Sequence, residues 1–255
     1  FDNIKNVGLL TNHTSQIIDI NFNEKKIINK FNNIDIKFIF TPEHGLLNDH
    51  GAGEYVSNNS AFNIPVISLY GNNFIPDRKI LEDLDAIIFD IQDIGSRYYT
   101  YISTMTKMME VCAELDIKFY VLDRPNPISG YVNGPILDKD FSSFVGMHQI
   151  PIRHGMTIGE IAYMINGENL LTDNVDLYIV KMEGWNRNLY YNDLDLEFIP
   201  PSPNIPNLET AVLYSGLCLI EGTNLSEGRG TNFPFKLIGA PWLNVDLLLN
   251  NYKLN

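Results

Sequence analysis

The segment "FTPEHGLLNDHGAGEYV" at residues 40–56 gathers acid–base side chains at the end of an apolar run. Glu43 and His44 follow Pro42, whose ring sets the direction of the chain. A carboxyl group held at a strand end inside a cleft can be tuned to act as a general acid. Glu54 lies in "GAGEYV", among glycines that let backbone approach a ligand closely. The bland alternative for each is a solvated loop residue. Position at a strand end favours the functional reading for Glu43 and leaves Glu54 evenly balanced.

Other apolar runs also end in groups that can bind or react. "NVGLLTN" ends in Thr11 and Asn12, "IPVISLYGN" in Gly71 and Asn72, "LDAIIFDIQDIG" in Asp90, Gln92 and Asp93, and "IKFYVLDRPNP" in Asp123, Arg124 and Asn126. The opposite ends carry ordinary residues: Lys5, Asp35, Pro65 and Asp85. Asp90 and Asp93 could bind a sugar hydroxyl or a cation, or satisfy backbone donors in their turn. Arg97 could pair with one of them or with an anionic ligand. His44, His50, His148 and His154 fit no HxxxH or HExxH spacing, so a structural or substrate-contacting role is expected for each and no metal is assigned. Glu160 stands three residues after Thr157 and reads as half of a capping box. Arg153 and His154 just before it could still face a cleft. In "EGTNLSEGRGT", Glu221, Glu227 and Arg229 could wall a sugar site or decorate a long turn.

The elements that must position these groups follow from the pattern. Near-continuous β-branched runs separated by helical stretches indicate an α/β fold, with a mostly parallel, Rossmann-like sheet covered by helices on both faces. In such sheets ligands bind outside the carboxyl ends of the strands. "FNEKKIINKF" (22–31) reads as a short amphipathic helix. In "RYYTYISTMTKMMEVCAEL" (97–115), Tyr98, Tyr101, Ile102, Met105, Met108, Met109, Cys112 and Leu115 form one apolar stripe, capped by Ser96. This stripe reads as core, with Cys112 a buried thiol. A helix is expected over 157–165, a strand over 175–182 and a helix over 208–220, the last entered through the Pro-rich "PPSPNIPN". Texture changes near residue 130. Residues 1–130 read as the α/β core, and 131–255 as its continuation plus the start of a smaller C-terminal α+β domain.

The whole chain limits the possibilities. A net charge of −13 over 255 residues, with no long basic run, excludes nucleic acid as an expected partner. The longest apolar runs are strand-sized, too short to span a membrane. Two cysteines are too few for a disulfide framework. The first residue is Phe, with no leader pattern before it, so the chain is expected to be processed, trimmed or a fragment.

"GLLTNHTS", "FTPEHGL", "AGEYV", "PVISLYG", "FDIQDIGSRYYTYISTM", "VLDRPNPI", "GPILD", "IPIRHGMTIGE", "FIPPSPNIPN" and "EGTNLSEGRGTNFPF", in this order over essentially the whole chain, resemble the exo-β-N-acetylmuramidase family, the NamZ-type glycoside hydrolases. The resemblance implies hydrolysis of the β-1,4 bond that releases N-acetylmuramic acid from the non-reducing end of peptidoglycan fragments. It also implies a Rossmann-like domain with a smaller, here truncated, C-terminal domain, and export to the periplasm or beyond. It places the favoured catalytic glutamate on Glu43 and implies no cofactor.

A glycosidase of this kind needs a proton donor and a second group that attacks carbon or activates water, unless the N-acetyl group of the substrate assists. Glu54, Asp93 and Glu227 are the candidates for the second group. Arg97, Arg124, Arg153 and Arg229 are candidates for gripping the lactyl carboxylate. Asn12, His44, Asp123, His154 and Asn204 complete the expected substrate-binding set. Two other classes stay open: a metal-dependent hydrolase using Asp90, Asp93, His44 and Asp123, and a non-catalytic carbohydrate-binding protein using the same cleft.

Overall fold

The computed structural model describes residues 4–15, 34–48, 50–61 and 63–251. The helix expected over 22–31 lies outside them. Each apolar run at a core position became a strand: β1 (Asn6–Thr11), β2 (Asp35–Thr41), β4 (Ile64–Ser68), β5 (Ala86–Asp90) and β6 (Lys118–Leu122). A three-residue strand β3 (Asn59–Ala61) precedes β4 and pairs with it antiparallel. Among the described residues the main sheet runs β3-β4-β2-β1-β5-β6-β9, where β9 is Leu177–Val180, and every pairing except β3–β4 is parallel.

The order places successive strands to one side of β1 through β4 and to the other side from β5 onward. The reversal lies between β1 and β5, where an open α/β sheet forms its crevice. β5 is buried at every residue, as expected of a central parallel strand. Gly8 in β1 is required by close packing, because a Cβ there would lie 2.6 Å from both Ile87 Cδ1 and Phe40 Cε2.

One sheet face, with Leu10, Phe40, Ile87, Phe89, Phe119 and Val121, packs against three helices. These are α1 (Tyr101–Glu114), α2 (Ile158–Gly167) and α3 (Leu208–Leu217). The same core reaches Ile205 and Phe235, so later segments close over the first half of the chain. The other face buries Val7, Leu9, Ile39, Ala86 and Ile88. Two details differ from expectation. α1 starts at Tyr101 rather than near 97, and Ser96 does not cap it. Ser96 is instead buried, with its Oγ 2.8 Å from Ser215 Oγ. The cause is tertiary. The segment before α1 is drawn into a bridge between Ser96 and Arg153, which lies in a small antiparallel pair, β7 (Asn133–Ile136) and β8 (Pro151–Arg153).

The capping box at α2 forms as the sequence indicates, with the Thr157 side chain accepting from Glu160 N and the Glu160 side chain accepting from Thr157 N. The 208–220 helix changes character after Leu217, tightening into a 3-10 segment over Cys218–Gly222. It is followed by a short helix α4 (Val245–Asn251). Among the described residues no helix is long and apolar enough to cross a membrane.

Candidate active site

Glu43 is carried out of β2 by Thr41 and Pro42 into a tight turn. The turn is made by two successive left-handed residues, His44 (φ 74°) and Gly45 (φ 75°), with Gly45 N–H bonding Pro42 O. A left-handed non-glycine residue costs free energy and persists only where its surroundings hold it. Here His44 Nδ1 lies 2.9 Å from the carbonyl oxygen of His50. Glu43 is buried, and its carboxyl group is met from three sides. Gly53 N–H donates to Oε1 at 2.8 Å, and Thr100 Oγ1 donates to Oε2 at 2.7 Å. The Tyr70 hydroxyl, just past β4, also bonds it, and burial together with the Glu43 charge pushes that phenol up to about 12. Thr100 stands at the first turn of α1. A loop, a strand end and a helix start therefore converge on one carboxyl group.

Glu43 and His44 line a cavity of about 130 Å³ with Thr100, Ser202, Asn204, Glu221 and Arg229. Tyr98, Tyr99, Tyr214 and Phe235 make its aromatic wall, the rings of Tyr214 and Phe235 meeting edge to face at 4.9 Å. Arg229 is gripped by two carboxylates: its Nε lies 2.9 Å from Glu227 Oε1, and its Nη2 meets Glu221. Burial holds the His44 imidazole below its ordinary value. The bond to the His50 carbonyl and the neighbouring Glu43 charge work against that shift, and Arg229 and the His50 ring add to it.

Of the sequence candidates, the structure brings Glu43, His44, Asn204 and Arg229 to this cavity, with Glu227 attached through Arg229. The others stand elsewhere. Glu54 is exposed and accepts from Gly51 N in its own loop. Asp93 accepts from Gly95 N at 2.7 Å, with His154 Nε2 3.5 Å away. Asn12 donates to the Tyr101 hydroxyl and accepts from Thr14, an internal brace of the loop after β1.

Asp123 holds the N-terminus of α2 through Gly159 N and Thr157 Oγ1. Arg124 is buried in an ion pair with Asp90. Arg97 spans the carbonyls of Pro135 and Ile150, and Arg153 reaches the carbonyl of Ile128. The crevice at the β1/β5 reversal is filled by such bonds: Thr11 Oγ1 to Asp90 O, Ser15 Oγ to Asp90 Oδ2 and Gln92 N to Thr14 Oγ1. The cavity lies beside it, over the end of β2. Asp90 and Asp123, two of the ligands that a metal-dependent hydrolase would need, are thus spent on other partners away from His44. Among the described residues no group of three or more His, Cys, Asp or Glu side chains is arranged to hold a metal ion.

Tyr70, Thr100 and Ser202 were not singled out by their sequence positions. Tyr70 follows a strand and Ser202 falls in "PPSPNIPN", signals that could have found both. Thr100, 57 residues from Glu43, carried no local signal.

Comparison with known proteins bears on what this arrangement does. The sequence matches the family description "Exo-beta-N-acetylmuramidase NamZ, N-terminal" over residues 7–209 and its C-terminal counterpart over residues 212–255. It is 45% identical over 245 residues to the peptidoglycan beta-N-acetylmuramidase NamZ of Bacillus subtilis (strain 168), covering 94% of this chain and 58% of that protein. Two crystal structures of DUF1343 family proteins from Bacteroides fragilis NCTC 9343 share the fold. One has a TM-score of 0.84 at 39% identity, covering 97% of this chain and 63% of the other. The second has a TM-score of 0.76 at 38% identity, covering 94% and 63%. The chain thus spans about three fifths of the length of these relatives. A match to the N-terminal description over most of the chain, and to a curated relative over nearly all of it, places this chain in the exo-beta-N-acetylmuramidase NamZ family.

Proposed function

We propose that this protein is an exo-acting glycoside hydrolase that releases N-acetylmuramic acid from the non-reducing end of peptidoglycan fragments, with Glu43 as its general acid. The observation that carries the reading is the cradle of Glu43. The carboxyl group is buried, lines an aromatic-walled cavity and is bonded by two hydroxyl groups, those of Thr100 and Tyr70. A hydroxyl can donate to a carboxylate and accept from a carboxylic acid. Such partners hold the group in place through both of the protonation states that acid–base work requires. Arg229 supports the substrate class. Its bonds to Glu221 and Glu227 use Nε and Nη2, leaving Nη1 without a partner among the described residues and available to a lactyl carboxylate. Because that substrate lies outside the cytoplasm, the reading includes export and a role in cell-wall turnover.

Glu43→Gln tests the proposal. The substitution keeps size and hydrogen bonding but removes the proton. Turnover of a muramic acid glycoside should fall about a hundredfold or more with the fold intact. Turnover within a few-fold of wild type would move the acid elsewhere. Binding without turnover by the wild-type protein would leave a carbohydrate-binding protein.

A further inference from the structure

A hydrolase that uses Glu43 as acid still needs a group to work on the other reactant, but Glu54 and Asp93 do not line the Glu43 cavity, and Glu221 and Glu227 are both paired with Arg229. We propose that His44 is that group: its Nε2 acts as general base on the attacking water, and the glycosidic bond is cleaved with inversion. This rests on the glycosidase reading above and goes further, since it names the second catalytic residue and the stereochemical course.

Four observations carry it. On an extended strand, neighbouring side chains point to opposite faces. The left-handed backbone at His44 breaks that alternation just past β2, and both Glu43 and His44 line the same cavity. His44 Nδ1 lies 2.9 Å from the His50 carbonyl oxygen, which can only accept. Nδ1 therefore carries the hydrogen, and the neutral ring keeps its lone pair on Nε2. The His44 ring is bonded through Nδ1 alone among the described residues, so a water in the cavity can bond Nε2. Burial disfavours the imidazolium, and the charged neighbours Glu43 and Arg229, with His50, do not reverse that preference. The ring is thus a neutral acceptor at neutral pH. His13, whose pKa the nearby His44 helps to lower, is itself bonded to the Pro200 carbonyl oxygen at 2.6 Å.

The step balances. The water oxygen bonds to the anomeric carbon as His44 Nε2 takes one water proton. The bond from that carbon to the glycosidic oxygen breaks, its electron pair stays on the oxygen, and the Glu43 proton goes there. The products are the free sugar with inverted configuration and the shortened saccharide bearing a hydroxyl. Solvent exchange then removes the proton from His44 and returns one to Glu43.

Three measurements test the inference. Proton NMR during the first turnovers of a β-linked muramic acid glycoside should show the α-anomer appearing first. If the β-anomer appears first, the inference is overturned and the glycosidase reading stands. If the wild-type protein shows no turnover, both fall. The second measurement is His44→Asn, since asparagine tolerates the left-handed backbone and keeps an N–H for His50. It should lower kcat about a hundredfold or more, with KM within a few-fold. An activated nitrophenyl leaving group should restore much of the activity of Glu43→Gln, because a good leaving group needs little acid. It should restore none of the activity of His44→Asn. Near wild-type kcat for His44→Asn, or its rescue by the nitrophenyl substrate, would also overturn the inference.

Discussion

Glu43 depends on two hydroxyl groups that are remote in sequence, and their contributions can be separated from folding. Thr100→Ser keeps the hydroxyl and should retain most activity. Thr100→Val keeps the shape but cannot bond Oε2, so kcat should fall roughly tenfold or more at little change in KM. Equal kcat for the two variants would assign Thr100 a packing role only. Arg229 admits a similar contrast. Lysine keeps the charge but has no spare Nη1 beside nitrogens that hold Glu227 and Glu221. Arg229→Lys should therefore erode the preference for muramic acid over glucosamine-type glycosides, and an unchanged ratio of kcat/KM values would remove Arg229 from recognition.

Sequence reasoning could mark Glu43, His44 and Arg229, because each sits where an apolar run or a Gly-rich turn ends. It could not separate Arg229 from Arg97, Arg124 and Arg153. All four stand beside polar turns, and only packing shows that three of them spend their guanidinium groups on backbone carbonyls or on Asp90.

At the scale of elements, the strands are legible because five of the long apolar runs lie in the parallel sheet and must be buried on both faces. The start of α1 is not legible. The apolar stripe continues back to Tyr98, but residues 96 and 97 are held by Arg153 and Ile152 of β8, through the bridge at Ser96 and the bond from Arg97 N to Ile152 O. Strand β8 is too short to show a period. The start of α2 is the reverse case. There a local Thr-x-x-Glu pattern decides the boundary, and tertiary contact reinforces it through Asp123, which bonds both Thr157 Oγ1 and Gly159 N. A glycine is needed at 159 because a Cβ would come 2.7 Å from Asp123 Cγ. Thr157→Ala should destabilise the fold by about 1–2 kcal/mol, read from the denaturant midpoint, through loss of the cap and of the Asp123 bond. A midpoint unchanged from wild type would show that the cap contributes nothing here.

Across the whole molecule, the buried histidines make stability depend on pH. His148 is buried with its Nε2 2.9 Å from Thr106 Oγ1, and burial pushes its pKa from 6.5 down to about 4. The unfolded chain therefore takes up this proton before the folded one does. The contribution of His148 is complete above about pH 6.5 and is lost as the pH falls toward 4, by at most on the order of 3 kcal/mol. His148→Gln should flatten the fall in Tm across that window relative to wild type. An identical fall in both proteins would assign the acid sensitivity to other groups. The Arg124–Asp90 pair sets a second global constraint, since it is buried beneath the β1/β5 crevice. Removing Asp90 alone would leave Arg124 uncompensated and should cost about 3–5 kcal/mol.

The sequence by itself determined the α/β class, the parallel strands, the capping box and the family, because each is written in residues close together along the chain or in motifs kept in order. It also put Glu43 at a strand end. Only the tertiary structure decided which polar strand ends remain open. The crevice at the topological reversal is closed by Thr11, Ser15 and Arg124 each bonding Asp90, whereas the cavity beside it opens on Glu43, His44 and Arg229. The reason is physical. A carboxylate or guanidinium has the same chemistry wherever it lies in a sequence, and whether it is spent on a partner or left for a ligand depends on groups brought within about 3 Å of it by folding.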